Sequence, residues 1–103
     1  MIFPPTIRLF LVPCINKYKR EWIQAYTEEC SRTIFVDVRT RCHMVRILIH
    51  EVLHVQHPSW SEHRVCAETR KKFNKMTWKG KAELLTTAMS RAKIGYPSED
   101  DNA

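Results

Sequence analysis

His50, Glu51 and His54 stand together in the run HEVLH. On a helix, residues four apart lie on one face, one turn above the other. Two imidazoles so placed can share one Zn²⁺, and the carboxylate of Glu51, beside the first of them, projects to the edge of that face and reaches a water on the metal. The pattern fixes only three positions, so its setting carries weight. No Gly or Pro interrupts the chain from Thr40 to His57. Val45, Ile47, Leu48, Ile49, Val52, Leu53 and Val55 surround the segment on nearly all sides, and a helix that is apolar all round is buried. Thr40 is a fitting N-cap. The spacing predicts a central, buried helix over residues 40–56. Ionisable side chains on such a helix are costly unless they are paired, hydrogen-bonded or bound to metal. One zinc per chain, held by His50 and His54, is the expected cofactor. Core histidines satisfied by backbone carbonyls are the competing reading.

A catalytic zinc takes three protein ligands and keeps a fourth position open. After the helix the chain reads His57-Pro58-Ser59-Trp60-Ser61-Glu62-His63-Arg64-Val65-Cys66-Ala67-Glu68. Pro58 stops the first helix, and Ser59 or Ser61 can cap a second. A short reversal lays that second helix beside the first, with Glu62 in its first turn and within approach of His54. Glu62 is the expected third ligand. Glu68 is a rival one to two turns further on, and His57, His63 and Cys66 are weaker rivals. An acidic residue at a helix start also has a purely structural reading, as a partner for the helix dipole.

The stretch His50 to Val65, HEVLHVQHPSWSEHRV, resembles the gluzincins, the zincin metallopeptidases whose third ligand is a glutamate. It is also similar to short HExxH proteins of bacteriophages and prophages, in which HExLH is followed by a proline, a serine and an acidic helix start. In well-studied gluzincins the gap to the third ligand is longer than that from His54 to Glu62. The resemblance implies a small sheet over an active-site helix, a peptide or protein substrate, and hydrolysis of peptide bonds. In that reading Glu51 is the general base, taking a proton from the attacking water and passing it to the leaving amine. His57, His63, Tyr26 and Tyr96 are unranked candidates for stabilising the oxyanion. An exposed edge strand beside the helix can bind substrate by strand addition. Two alternatives belong to other classes. One is a zinc-binding protein without catalysis, and the other is a basic accessory protein that binds nucleic acid.

The elements that must position these groups are short. Thr6–Val12 and Thr33–Val38 read as strands. Residues 21–27 fit a strand or a short helix; aromatic and β-branched content favours a strand, paired with residues 33–38 as a hairpin. A second helix is expected over residues 61–75 and a third over 79–93, the latter with an apolar stripe of Ala82, Leu85, Ala88, Met89 and Ala92. Trp22, Phe35, Trp60, Phe73 and Trp78 are expected core or rim aromatics. The expected fold is α+β: a three-stranded, mainly antiparallel sheet packed on three helices. The 103 residues make one domain over residues 1–97, with an acidic tail over 98–103. A chain of this size builds one modest core, so the cleft should be shallow or completed by a partner. The net charge is +6, with local density at Lys17-Tyr18-Lys19-Arg20 and Arg70-Lys71-Lys72, and solvated helix faces account for it more simply than nucleic acid. Cys14, Cys30, Cys42 and Cys66 form no CxxC pair. No apolar run is long enough to span a bilayer, and the N-terminal residues lack the pattern of a signal peptide. A cytoplasmic protein with reduced thiols is the expectation.

Overall fold

The computed structural model describes residues 1–13, 25–39 and 43–97. The elements are β1 (Arg8–Val12), β2 (Ala25–Glu28), β3 (Thr33–Asp37), α1 (Met44–Gln56), α2 (Glu62–Lys75), α3 (Trp78–Arg91) and β4 (Lys93–Ile94). The expected α+β class with three helices is present, but the sheet differs. It is mixed and four-stranded, in the order β2-β3-β1-β4. The hairpin of β2 and β3 is antiparallel, pairing Tyr26 with Phe35 and Thr27 with Ile34. β1 runs parallel to both β3 and β4. The reason lies in burial. Every residue of β3 is buried, and most of β1 is, as befits strands covered on both faces, which read as continuous apolar runs. The two-residue β4 has no such signal. It sits where the third helix was expected to continue, held by Gly95 N–H donating to the Leu11 carbonyl at 2.8 Å. Gly95 has a φ of 88°, which ends the strand.

Alternation along the strands divides the core. Leu9, Ile34 and Val36 face the helices and join Val45, Leu48, Ile49, Val52 and Leu53 of α1, Val65 of α2, and Leu84 and Ala88 of α3. Phe10, Val12 and Phe35 face the other way and form a second cluster with Tyr26. There the rings of Tyr26, Phe35 and Phe10 stack in a row at 4.7 Å and 5.6 Å. α1 is the central element, packed on β2, β3, α2 and α3. It begins at Met44 behind His43, which makes no side-chain cap bond; the expected cap Thr40 lies outside the described residues, as do Cys14, Cys42, the 17–20 basic run, Trp22 and the tail.

Ser61 caps α2 by accepting a hydrogen bond from Arg64 N–H at 3.2 Å, and Thr77 caps α3 by accepting one from Gly80 N–H at 3.0 Å. The third helix buries Leu84 and Ala88, with Leu85 and Met89 beside them, while Ala82 is exposed. Trp78, expected in the core or at its rim, is 90% exposed. It precedes Leu84 by six residues, which is roughly 240° around a helix of 3.6 residues per turn and so off the buried stripe. No helix among the described residues is long and apolar enough to cross a membrane.

Candidate metal centre

The site forms where α1 passes between the edge strand β2 and the start of α2. Pro58 and the turn after it reverse the chain: His57 N–H closes α1 on the Leu53 carbonyl at 2.8 Å, and Trp60 N–H donates to the His57 carbonyl at 3.0 Å. The His57 and Trp60 rings stack at 3.7 Å, and the Arg64 guanidinium lies over Trp60 at 4.3 Å. This stacked turn, followed by the Ser61 cap, brings Glu62 back against the histidine face of α1.

Glu62 spans the two imidazoles. Its Oε1 lies 2.8 Å from His50 Nε2, and its Oε2 lies 2.8 Å from His54 Nε2. The two Nε2 atoms are 3.2 Å apart. Among the described residues, these three are the group of metal-ligating side chains close enough to share an ion. Donors about 2.0–2.1 Å from a tetrahedral zinc lie roughly 3.3 Å from one another. The observed triangle is near that size, and two imidazoles with one carboxylate is a donor set of catalytic zinc. The residues present therefore fit the metal. The imidazoles are partly buried and the Glu62 side chain is 65% exposed, so the triangle is open on one side. Burial works to raise the Glu62 carboxyl, but His50 and His54 outweigh it, with help from the Cys66 thiol, and hold it below its ordinary 4.5.

Glu51 sits behind the triangle and is 6% exposed. Burial pushes its carboxyl above the ordinary 4.5. Against that act the Thr27 hydroxyl first, then His50 and His54. Thr27 reaches across from β2 and donates to Glu51 Oε2. The pocket in front of these groups has a volume of about 340 Å³ and is lined by Ala25, Tyr26, Thr27, Glu29, His50, Glu51, His54 and Glu62.

The rival ligands lie elsewhere. Glu68 faces Lys71, with its Oε1 3.5 Å from Nζ. His57 is engaged with Trp60, and His63 is exposed. Cys66 lies one turn beyond Glu62, and its Sγ donates weakly to Glu62 Oε1 at 3.6 Å. Burial, and then Glu62, push that thiol up. Cys30 and Cys66 are free and exposed. Of the four oxyanion candidates only Tyr26 lines the pocket, and its ring is turned onto Phe35, as is the ring of Tyr96 at 5.8 Å. Sequence reasoning missed Thr27 and Glu29. Strand alternation could have found Thr27, because its register partner Ile34 belongs to the helix-facing core. Compared with protein-family models, curated proteins and solved structures, the chain matches none.

Proposed function

We propose that the protein is a minimal zinc metallopeptidase of the gluzincin type, with His50, His54 and Glu62 as ligands and Glu51 as general base. The observation that carries the reading is the triangle of three donors open on one side, with a buried carboxylate beside it. Zinc held there supplies Lewis acidity, polarising a carbonyl and making water acidic. Glu51 accepts the proton of the attacking water and returns it to the leaving amine. The upward push of burial on its carboxyl suits that task, since a base works best with a pKa near the operating pH. Thr27 holds one carboxylate oxygen and leaves the other for the water. The side of β2 away from β3, unpaired among the described residues, offers backbone groups to an extended substrate.

Zinc without catalysis needs no buried carboxylate fixed beside an open triangle, and the placement of Glu51 weighs against that reading. The basic surface alone does not favour nucleic acid.

The test separates binding from chemistry. The wild type is expected to hold one zinc and to cleave a mixed peptide library. His50→Ala is expected to lose the metal. Glu51→Gln should keep full zinc occupancy and lose roughly 10²-fold or more in hydrolysis, the size of a positioned base. A wild type that holds zinc and cleaves nothing refutes the peptidase reading, and unchanged zinc in His50→Ala refutes the site.

A further inference from the structure

Glu29 is the carboxylate of the pocket wall that the proposed chemistry leaves unused. It follows β2 at the turn into β3, it is exposed, and its backbone carbonyl accepts from Arg32 N–H at 3.2 Å. Its side chain has no hydrogen bond or ion pair among the described residues. Its neighbour Glu28 differs: Glu28 Oε2 accepts from Ser31 Oγ at 3.3 Å and lines a separate pocket on the other face of the sheet, with Arg8 and Tyr96. In a chain of net charge +6, no Lys or Arg among the described residues lines the pocket of the proposed metal centre. A divalent ion offset by Glu62 and Glu51 would leave that pocket close to neutral, so Glu29 is the uncompensated charge among the described residues that line it.

We propose that Glu29 makes this site select ligands that carry a cationic group, an ammonium or guanidinium, on the amino-terminal side of the group at the metal. The inference rests on the metal-centre reading. The direction comes from the strand. Thr27 marks the position of Glu51, and Glu29 lies two residues further along β2, about 7 Å at the usual strand rise. A chain adding in antiparallel fashion to the side of β2 away from β3 runs with its amino-terminal end toward Glu29. A lysine or arginine side chain next to the scissile bond spans that distance, and a free α-amine nearby presents the same charge. The preference should be modest, about three- to fivefold, because partly solvated ion pairs contribute little.

Simple hydroxamates test this without requiring turnover. They chelate zinc whether or not the protein cleaves peptides. Three are titrated calorimetrically into the zinc-loaded protein: Nα-acetyl-lysine hydroxamate, with a side-chain cation; norleucine hydroxamate, with only the α-amine; and Nα-acetyl-norleucine hydroxamate, with neither. At least one cationic compound is expected to bind about three- to fivefold tighter than the neutral one, with the gap shrinking in high salt. Which one does so identifies the source of the charge. Glu29→Gln should abolish the preference, and Glu28→Gln should keep it. Equal binding of all three by the wild type, or a preference that survives in Glu29→Gln, overturns the inference and leaves the metal centre standing. No binding by any of them overturns the metal centre and the inference with it.

Discussion

The contact between Thr27 and Glu51 is the most exacting test of how the site works, because it joins an edge strand to the proposed general base and leaves the proposed metal ligands alone. In Thr27→Val the side chain keeps its branched shape and loses the hydroxyl. Glu51, only 6% exposed, then loses the first of the influences that oppose its burial. A hydrogen bond to a charged group is worth about 1.5–3 kcal/mol. At about 1.4 kcal/mol per tenfold in rate, that is a fall of roughly 10- to 150-fold in kcat/KM. The fall has two parts. The carboxyl titrates higher, so less of it is ionised at neutral pH, and the free oxygen is less firmly aimed. Zinc stoichiometry by elemental analysis should not change, because the Thr27 hydroxyl bonds Glu51 and none of the three proposed ligands. Thr27→Ser restores the hydroxyl and should recover most of the rate. Cleavage of a quenched-fluorescence peptide set, measured beside zinc content and a thermal melt, gives the answer. A Val variant that turns over like wild type, or one that loses its zinc, refutes the reasoning.

Three further outcomes are expected. Glu62→Ala should weaken zinc binding by orders of magnitude while Glu68→Ala leaves it near wild type, read by competition with a chromophoric chelator. In the metal-free protein the Glu51 carboxyl titrates above its ordinary 4.5, so the folded state binds more protons than the unfolded one, and the stability linked to this group falls as pH rises from 4.5 through the raised pKa. Glu51→Gln removes that loss, so its denaturant midpoint relative to wild type should improve between pH 4 and pH 8; a constant difference would contradict it. Arg91 donates to the carbonyls of Phe3, Pro4, Pro5 and Ile7 at 2.7–3.0 Å, tying the N-terminal segment to the end of α3. Arg91→Met should cost about 1–3 kcal/mol in chemical denaturation without altering zinc affinity.

The parts of this molecule legible in the sequence are those fixed by local rules. An all-round apolar segment has one placement, so α1 and the face shared by His50 and His54 could be read directly. Pro58 and Ser61 spell out a stop and a cap five residues after His57 at most, and so short a reversal leaves Glu62 little choice but to return beside His54. The hairpin of β2 and β3 was legible for the same reason. Pairing across the chain was not. β1 meets β3 some 25 positions later, and β4 meets β1 after more than 80, and nothing within either strand states the direction of its partner. In α3 the composition allowed more than one stripe, and the structure uses Leu84 where the sequence suggested Ala82. Thr27 was invisible for a subtler reason. Its role depends on which face of β2 meets the helices, a property of the assembled sheet.

That dependence explains why the site needs β2 at the edge and in this register. Ala25 and Thr27, with Glu29 beyond the strand end, line the pocket of the proposed metal centre; Tyr26 also borders it, but its ring stacks in the aromatic row of the opposite face. Side chains alternate strictly along a strand, so a slip of one residue against β3 would carry Thr27 away from Glu51 and push Tyr26 into the helix core. The stack of Tyr26 on Phe35 and Phe10 resists that slip from one side, and the pairing of Thr27 with Ile34 above the α1 core resists it from the other. The aromatic cluster is separate from the core that α1 joins. Its contribution to the proposed chemistry is to hold the register that delivers the Thr27 hydroxyl to Glu51.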